Sequence, residues 1–177
     1  MNLKTRVVAN ILNNGGVVSL PTDTIQGLSC LPFSKSLIRL VELKQRSTNK
    51  GLILISSNIN HFKDYVENTD LLAQIKPSAT PTTYLVKANN CVLDLLLGGH
   101  KTIAIRLTRN PLIKQLCTMT DSALVTTSAN LSGRQTAQSS LKLQVYFKGE
   151  LDYIIAPNKN ANNPSSIINL QTGERLR

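Results

Sequence analysis

Leu3, Val7, Val8, Ile11 and Leu12 recur at helical spacing, so the chain opens with an amphipathic helix. Asn13-Asn14-Gly15-Gly16 stops it and offers glycine for a left-handed cap. The pattern then shortens to strands: Val17-Val18-Ser19-Leu20 is a buried run, Pro21-Thr22-Asp23-Thr24 breaks it, and Ile25-Gln26-Gly27-Leu28 resumes an extended segment. The break leaves hydroxyls at a strand end. Leu37, Ile38, Leu40, Val41 and Leu43 then form an apolar face from Ser34, suited to N-cap, to about Gln45. Gly51 to Ser56 reads as a strand.

Farther along, Asn68 to Lys76 predicts a short helix closed by Pro77, followed by strands at Thr83 to Lys87 and Thr102 to Leu107 with a long loop between them. Asn110-Pro111 starts a helix carrying Leu112, Ile113 and Leu116, because proline is well tolerated at the first helical position. Ala123 to Thr127 is a strand, Ser139 to Lys148 a helix, and Tyr153 to Ala156 and Ser166 to Leu170 are strands. This mixed alternation predicts an α/β (α+β) sheet with helices packed on it rather than a purely doubly wound repeat. The most polar run, Asn158 to Pro164, reads as a surface loop able to cover a site.

With 177 residues and 41% hydrophobic content, one domain over residues 1–177 is expected. Aromatic residues make up 4% and tryptophan is absent, so base stacking on aromatic platforms has little to work with. The formal charge of +10 implies an anionic partner, although cations run from Lys4 to Arg177 and an ordinary basic surface fits them too. Cys30, Cys91 and Cys117 lack C-x-x-C spacing, and His61 and His100 stand alone, so neither a disulfide framework nor a structural metal is expected. No apolar run has the length of a signal peptide core or a membrane span, which points to cytoplasmic residence and no membrane partner.

The candidate chemistry lies in two clusters. Lys44, Arg46 and Lys50 place three cations within seven residues where a helix runs into a strand. Thr126-Thr127-Ser128-Ala129-Asn130 ends a strand in small hydrogen-bonding side chains. Together they outline a phosphate site, since neither a Walker loop nor a Rossmann fingerprint is present. Spacing alone equally allows Lys44 and Arg46 to complement the helix dipole, an effect of about 0.3–1 kcal/mol, and Ser128 and Asn130 to close a backbone turn. Arg106 interrupts the apolar strand Ile103 to Leu107 and must reach a partner or water; a ligand carboxylate or phosphate suits it.

Gly16 to Leu28, Lys44-Gln45-Arg46 with Lys50 to Ile55, Thr102 to Arg106, Thr127 to Gly133 and Pro164 to Ile168 resemble, in order, the motifs of the YrdC-like threonylcarbamoyl-AMP synthase family. The resemblance spans roughly Gly15 to Arg177 and implies an open α/β fold, a twisted mixed sheet with a concave basic groove. It also implies an activity: L-threonine, bicarbonate or CO2, and ATP give threonylcarbamoyl-AMP and pyrophosphate, the first step toward N6-threonylcarbamoyladenosine in tRNA. Carried over by motif, Thr24, Arg106 and Ser165 would hold threonine, with Arg106 pairing its carboxylate. Arg46, Lys50, Thr102, Ser128, Asn130 and Arg177 would surround ATP. Lys44, Arg46 and Lys50 are the implied catalytic cations, and Mg2+ would arrive on ATP without a protein metal site. Expected partners are the substrates, tRNA and a downstream threonylcarbamoyl-transfer complex.

Ser47 departs from the proline usual after the K-x-R arginine, Gln26 from an aromatic, and Asn169 from an aspartate, while Pro77 to Thr83 is a loose form of a P-G-P-x-T turn. The end at Arg177 resembles the single-domain form. A reading of a different class, an RNA-binding module holding tRNA or double-stranded RNA by phosphate contacts without catalysis, predicts steeply salt-dependent RNA affinity. A third reading is a domain handling a carbamoyl adenylate, as the same fold occurs within a carbamoyl-transfer maturation enzyme.

Overall fold

A computed structural model describes residues 2–78, 80–158 and 163–177. Five α-helices, α1 (Leu3–Asn13), α2 (Ser34–Lys44), α3 (Asp94–Leu97), α4 (Pro111–Thr120) and α5 (Ser140–Phe147), accompany eight strands. The strands are β1 (Val18–Pro21), β2 (Gln26–Cys30), β3 (Ile53–Ser56), β4 (Thr82–Lys87), β5 (Thr102–Leu107), β6 (Leu124–Ser128), β7 (Tyr153–Ile154) and β8 (Ser166–Asn169). They join in one mixed sheet of order β7-β1-β2-β6-β3-β5-β4-β8. The pairs β1/β7, β3/β5 and β4/β8 are parallel and the remainder antiparallel.

The expected helix ends have local causes. Gly15 takes φ +82°, and the Gly16 N–H donates to Ile11 O at 2.9 Å, so glycine closes α1 as expected. The cap of α2 differs from expectation: Phe33 occupies that position without a side-chain hydrogen bond, and Ser34 is already the first helical residue. Asn68 to Lys76 is not an α-helix but a 3-10 segment, Thr69–Gln74. A second such segment, Ile59–Tyr65, and the single turn α3 both arise where no helix was expected. Of the polar run Asn158 to Pro164, Lys159 to Asn162 lie outside the described residues, as does Ala79 in the Pro77 to Thr83 turn.

Strand alternation divides the core between the two faces of the sheet. Leu28, Leu54, Ile103, Ile105 and Val125 point to one face, which packs with Leu37 and Leu40 of α2 and Leu143 and Phe147 of α5. Val18, Leu20, Ile55 and Leu124 point to the other, where Val8 and Leu12 of α1 and Ile113 and Leu116 of α4 cover them. That second face is only half covered. Across the register, Gly27, Thr126, Ile53, Ala104 and Arg106 continue it beyond α1 and α4, small or polar residues where a helix footprint would need bulk.

Candidate active site

A cavity of about 370 Å³ stands on this uncovered half-face. Gly27, Thr126, Ile53, Ala104, Arg106 and Thr83 are part of its lining, with Arg46, Ser128, Ser165 and Arg177 around them. A Cβ added at Gly27 would lie 2.7 Å from Thr126 Oγ1, so glycine there keeps the floor clear. A second recess of about 1020 Å³ adjoins the first, the two sharing Thr22, Thr24, Ile25, Thr136 and Pro164.

Arg106 is 3% exposed, and its guanidinium donates to side-chain oxygens. Nε donates to Thr83 Oγ1 at 3.0 Å, Nη1 to Asp23 Oδ1 at 3.2 Å and Thr24 Oγ1 at 3.1 Å, and Nη2 to Ser165 Oγ at 2.9 Å. Thr83 and Ser165 are themselves within 2.9 Å. Burial pulls the Arg106 guanidinium below its ordinary value; the Asp23 charge and hydrogen bond act to raise it, and Arg177 lowers it further. Thus Thr24, Arg106 and Ser165, the residues expected to hold threonine, meet at one point. Asp23 completes the group, a partner that the sequence reading left unassigned although a buried strand arginine demands an anion.

The residues assigned to ATP are only partly gathered. Arg46 lines the cavity, with Nη1 donating to Thr127 Oγ1 at 2.8 Å and Nη2 to Gly51 O at 2.9 Å. Its buried Nε has no hydrogen-bond partner among the described residues, and burial lowers the proton affinity of the guanidinium. Arg177 reaches the cavity as its Nε donates to Ser165 O at 3.1 Å. Lys50 is exposed beside the lining residue Gly51 and is not itself in the lining. Thr102 shares the face of Ala104 and Arg106 but lies outside the cavity.

Lys44 stands apart. It is 3% exposed and absent from the lining, and its Nζ meets Ser128 O, Ser128 Oγ at 3.3 Å, Asn130 O at 3.0 Å and Asn130 Oδ1 at 2.8 Å. Ser128 Oγ donates to Asn130 Oδ1 at 2.6 Å, and Asn130 Nδ2 donates to Arg134 O at 2.6 Å. Asn130 therefore holds a turn, while Ser128 both closes that turn and borders the cavity. Burial first, then the charges of Arg46 and Lys50, pushes the Lys44 amine down to about 7.

The departures from the family motifs have structural placements. Ser47 Oγ accepts from Asn49 N–H at 3.2 Å in the segment after α2. Gln26 Nε2 donates to Ser19 Oγ and Ile155 O, both at 2.9 Å, joining β1 and β2 to the segment after β7. Asn169 Oδ1 accepts from Gln171 and Thr172 N–H at the turn after β8.

Fold and site together define a class: an open mixed sheet whose uncovered half-face carries an arginine- and hydroxyl-lined recess fit for a small anionic substrate. The chain belongs to the Sua5/YciO/YrdC family, whose model, described as telomere recombination, matches residues 10–177. Threonylcarbamoyl-AMP synthase of Nitrosococcus oceani is 38% identical over 182 residues, covering 99% of this chain and 98% of the relative. That of Pseudomonas fluorescens is 34% identical over 181 residues, covering 98% and 96%. The crystal structure of P. abyssi Sua5 complexed with L-threonine shares the fold, with TM-score 0.84 at 22% identity over 97% of this chain. The chain spans 52% of that longer protein. No helix among the described residues is long and apolar enough to cross a membrane.

Proposed function

We propose that this chain is a threonylcarbamoyl-AMP synthase, converting L-threonine, bicarbonate or CO2, and ATP to threonylcarbamoyl-AMP and pyrophosphate. The reading rests on membership of the family, on relatives bearing that name along almost the whole chain, and on one observation above the rest. Arg106, Thr24 and Ser165 converge on one wall of a cavity whose lining also includes Arg46, Ser128 and Arg177. Arg106 would pair with the threonine carboxylate, with Thr24 and Ser165 beside it. Arg46, Ser128 and Arg177 would meet ATP from the other walls, and Lys50, Thr102 and Asn130 would act from the margin. One domain over residues 1–177 would carry the whole site.

The chemistry needs no protein nucleophile. The threonine amine forms the N–C bond to CO2 and loses a proton. A carbamate oxygen then bonds to the α-phosphorus as the bond to pyrophosphate breaks. Positioning and charge stabilisation by guanidinia carry such a transfer. Among the described residues the cavity lining has hydroxyls and guanidinia but no carboxylate, a donor set ill-suited to a resident hard cation. Mg2+ would enter on ATP, held by phosphate oxygens and water. The product would pass to a tRNA threonylcarbamoyl-transfer complex in the cytoplasm, and tRNA itself could meet the basic surface.

The deciding experiment is mass detection of threonylcarbamoyl-AMP from the purified chain, with pyrophosphate release requiring ATP, threonine and bicarbonate together. Turnover without threonine would sink the reading. Steeply salt-dependent RNA affinity with no nucleotide binding would favour the RNA module instead, a reading that the names of the relatives do not support.

A further inference from the structure

Lys44 carries the first basic position of the K-x-R motif, yet it is absent from the cavity lining and its amine sits against the turn that ends β6. Four oxygens of Ser128 and Asn130 surround Nζ, two from backbone carbonyls and two from side chains. The backbone joins in from the same place, since Ser132 N–H donates to Lys44 O at 3.2 Å. An ammonium has three N–H donors, so every proton on Nζ has an acceptor in this nest.

The charges around the amine are the other half of the observation. The ion pairs among the described residues join Arg39 to Asp152, His61 to Asp121, Lys87 to Glu67 and Arg106 to Asp23; none includes Lys44. The charged groups felt by Lys44 are Arg46 and Lys50, both cationic, from the segment that follows α2. From the loop after β6, Arg134 contributes a carbonyl to the Asn130 amide while its side chain is exposed. A lysine 3% exposed, beside two cations and without a counter-charge, is an unusual arrangement. An anion in the cavity, which Arg46 and Ser128 both line, would supply one.

We propose that Lys44 is a positioning residue that takes up a proton when an anion occupies the cavity against Arg46, so that ligand binding locks the Ser128–Ala129–Asn130 turn from beneath. The proposal rests on the reading that the cavity receives nucleotide phosphates. The coupling is electrostatic. Burial first, then the charges of Arg46 and Lys50, holds the amine at about 7; phosphate against Arg46 offsets the second of these and brings the missing negative charge close to the amine. The added proton completes the bonds to Ser128 and Asn130. Ser128, which borders the cavity, is then fixed by the same event that fills it.

The sign follows by linkage. Below about pH 7 Lys44 is charged in the free protein and binding needs no proton. Above it binding must recruit one, so ATP affinity falls with rising pH, by up to about tenfold per unit, until the raised bound-state value is passed. From an amine near 7, uptake would be at most about half a proton per ATP at pH 7 and at most about one at pH 8.

The test is calorimetric titration of ATP into the full chain at pH 8, in buffers of different ionisation enthalpy, for the unsubstituted protein, Lys44→Met and Lys44→Arg. Arginine keeps charge and donors but does not titrate there; methionine removes both. Proton uptake by the unsubstituted chain that exceeds that of Lys44→Arg by at least about half a proton per ATP would support the proposal. A flatter pH dependence of ATP affinity in Lys44→Arg is expected alongside it. Equal uptake by the two proteins, with ATP bound by both, would overturn it. Should Lys44→Met fail to fold, the arginine variant still decides. Absence of ATP binding to the unsubstituted chain would instead remove the nucleotide reading, and this inference with it.

Discussion

Arg106 is where a single residue carries most of the site. Its planar fork reaches Asp23, Thr24, Thr83 and Ser165 at once, joining the turn after β1, strand β4 and the start of β8. Lysine at that position would keep the charge but offer one point donor in place of a fork. Arg106→Lys is therefore expected to raise the KM for threonine about 10- to 100-fold, the equivalent of losing about 1.5–3 kcal/mol of charge-assisted hydrogen bonding. ATP affinity, measured by calorimetry, should change far less. Equal loss for both substrates would remove Arg106 from the threonine wall. A buried strand arginine was legible in the sequence, and so was its need for an anion. Which acid answers it was not: pairing of Arg106 with Asp23 spans 83 positions and depends on how the turn between β1 and β2 folds back over β5. For Lys44 the sequence showed the charge but not the direction of the amine.

At the scale of elements, the strands and the longer helices were legible, and the short helical turns were not. Helices α1, α2 and α4 and strand β5 lie where their apolar spacing placed them, because each repeats its pattern more than once. Helix α3 has four residues, too few to show a period, yet it braces the site. Gly98, its left-handed cap at φ +62°, would put a Cβ 2.1 Å from Gly51 N and 2.4 Å from the Lys50 carbonyl carbon. Gly51 O is also an acceptor for Arg46. Gly98→Ala should thus lose at least about 1 kcal/mol of stability from the positive φ and displace the Lys50–Gly51 segment. A lower thermal midpoint together with a raised KM for ATP is the expected pair of readings; a lower midpoint with unchanged KM would separate α3 from the site.

The clip between α2 and β7 makes a pH prediction. Asp152 accepts from Val17 N–H at 2.7 Å and from Arg39, while Arg39 Nη2 also donates to Glu150 O at 2.6 Å. Burial alone would raise the Asp152 carboxyl, but the Arg39 hydrogen bond and the Val17 N–H hold it below its ordinary 3.8. Its contribution is complete above that ordinary value and is lost as pH falls through the lower folded one. Asp152→Asn keeps an oxygen for the Val17 N–H but loses the charge, so it should be less stable by about 1 kcal/mol near neutrality, the part-exposed pairing with Arg39 being weak and the Val17 bond no longer charge-assisted. The difference should shrink below pH 4. Denaturant melts at pH 7 and pH 3 check it, and a gap that persists undiminished at pH 3 would rule out the carboxylate as its source.

Across the whole molecule, one sheet face does two jobs in adjacent halves. Alternating strands supply bulky residues toward α1 and α4 and small or polar residues toward the cavity, and the change occurs within single strands. On β6, Leu124 packs under the helices while Thr126 faces the cavity, one alternation step further along the strand. On β3 the same step separates Ile55 from Ile53. This division was illegible in the sequence, since alternation gives faces but not which part of a face a helix will cover. Stability and function should consequently separate along a strand. Leu124→Ala deletes a fully buried side chain from the covered half and is expected to cost about 2–5 kcal/mol. It should leave the KM values for ATP and threonine within about twofold, an estimate that takes a packing change remote from the ligand as nearly uncoupled to it. Thr126→Val, nearly isosteric and on the floor, should shift the KM values instead, because it alters a cavity wall while keeping its volume; its cost in stability, about 1–3 kcal/mol, comes from the acceptor lost to the buried Ser29 Oγ at 3.1 Å. Denaturant midpoints and substrate titrations on the two variants, taken while both are folded, make the comparison. If Leu124→Ala shifts the KM values as far as Thr126→Val does, the two halves of the face act as one unit and the proposed division fails.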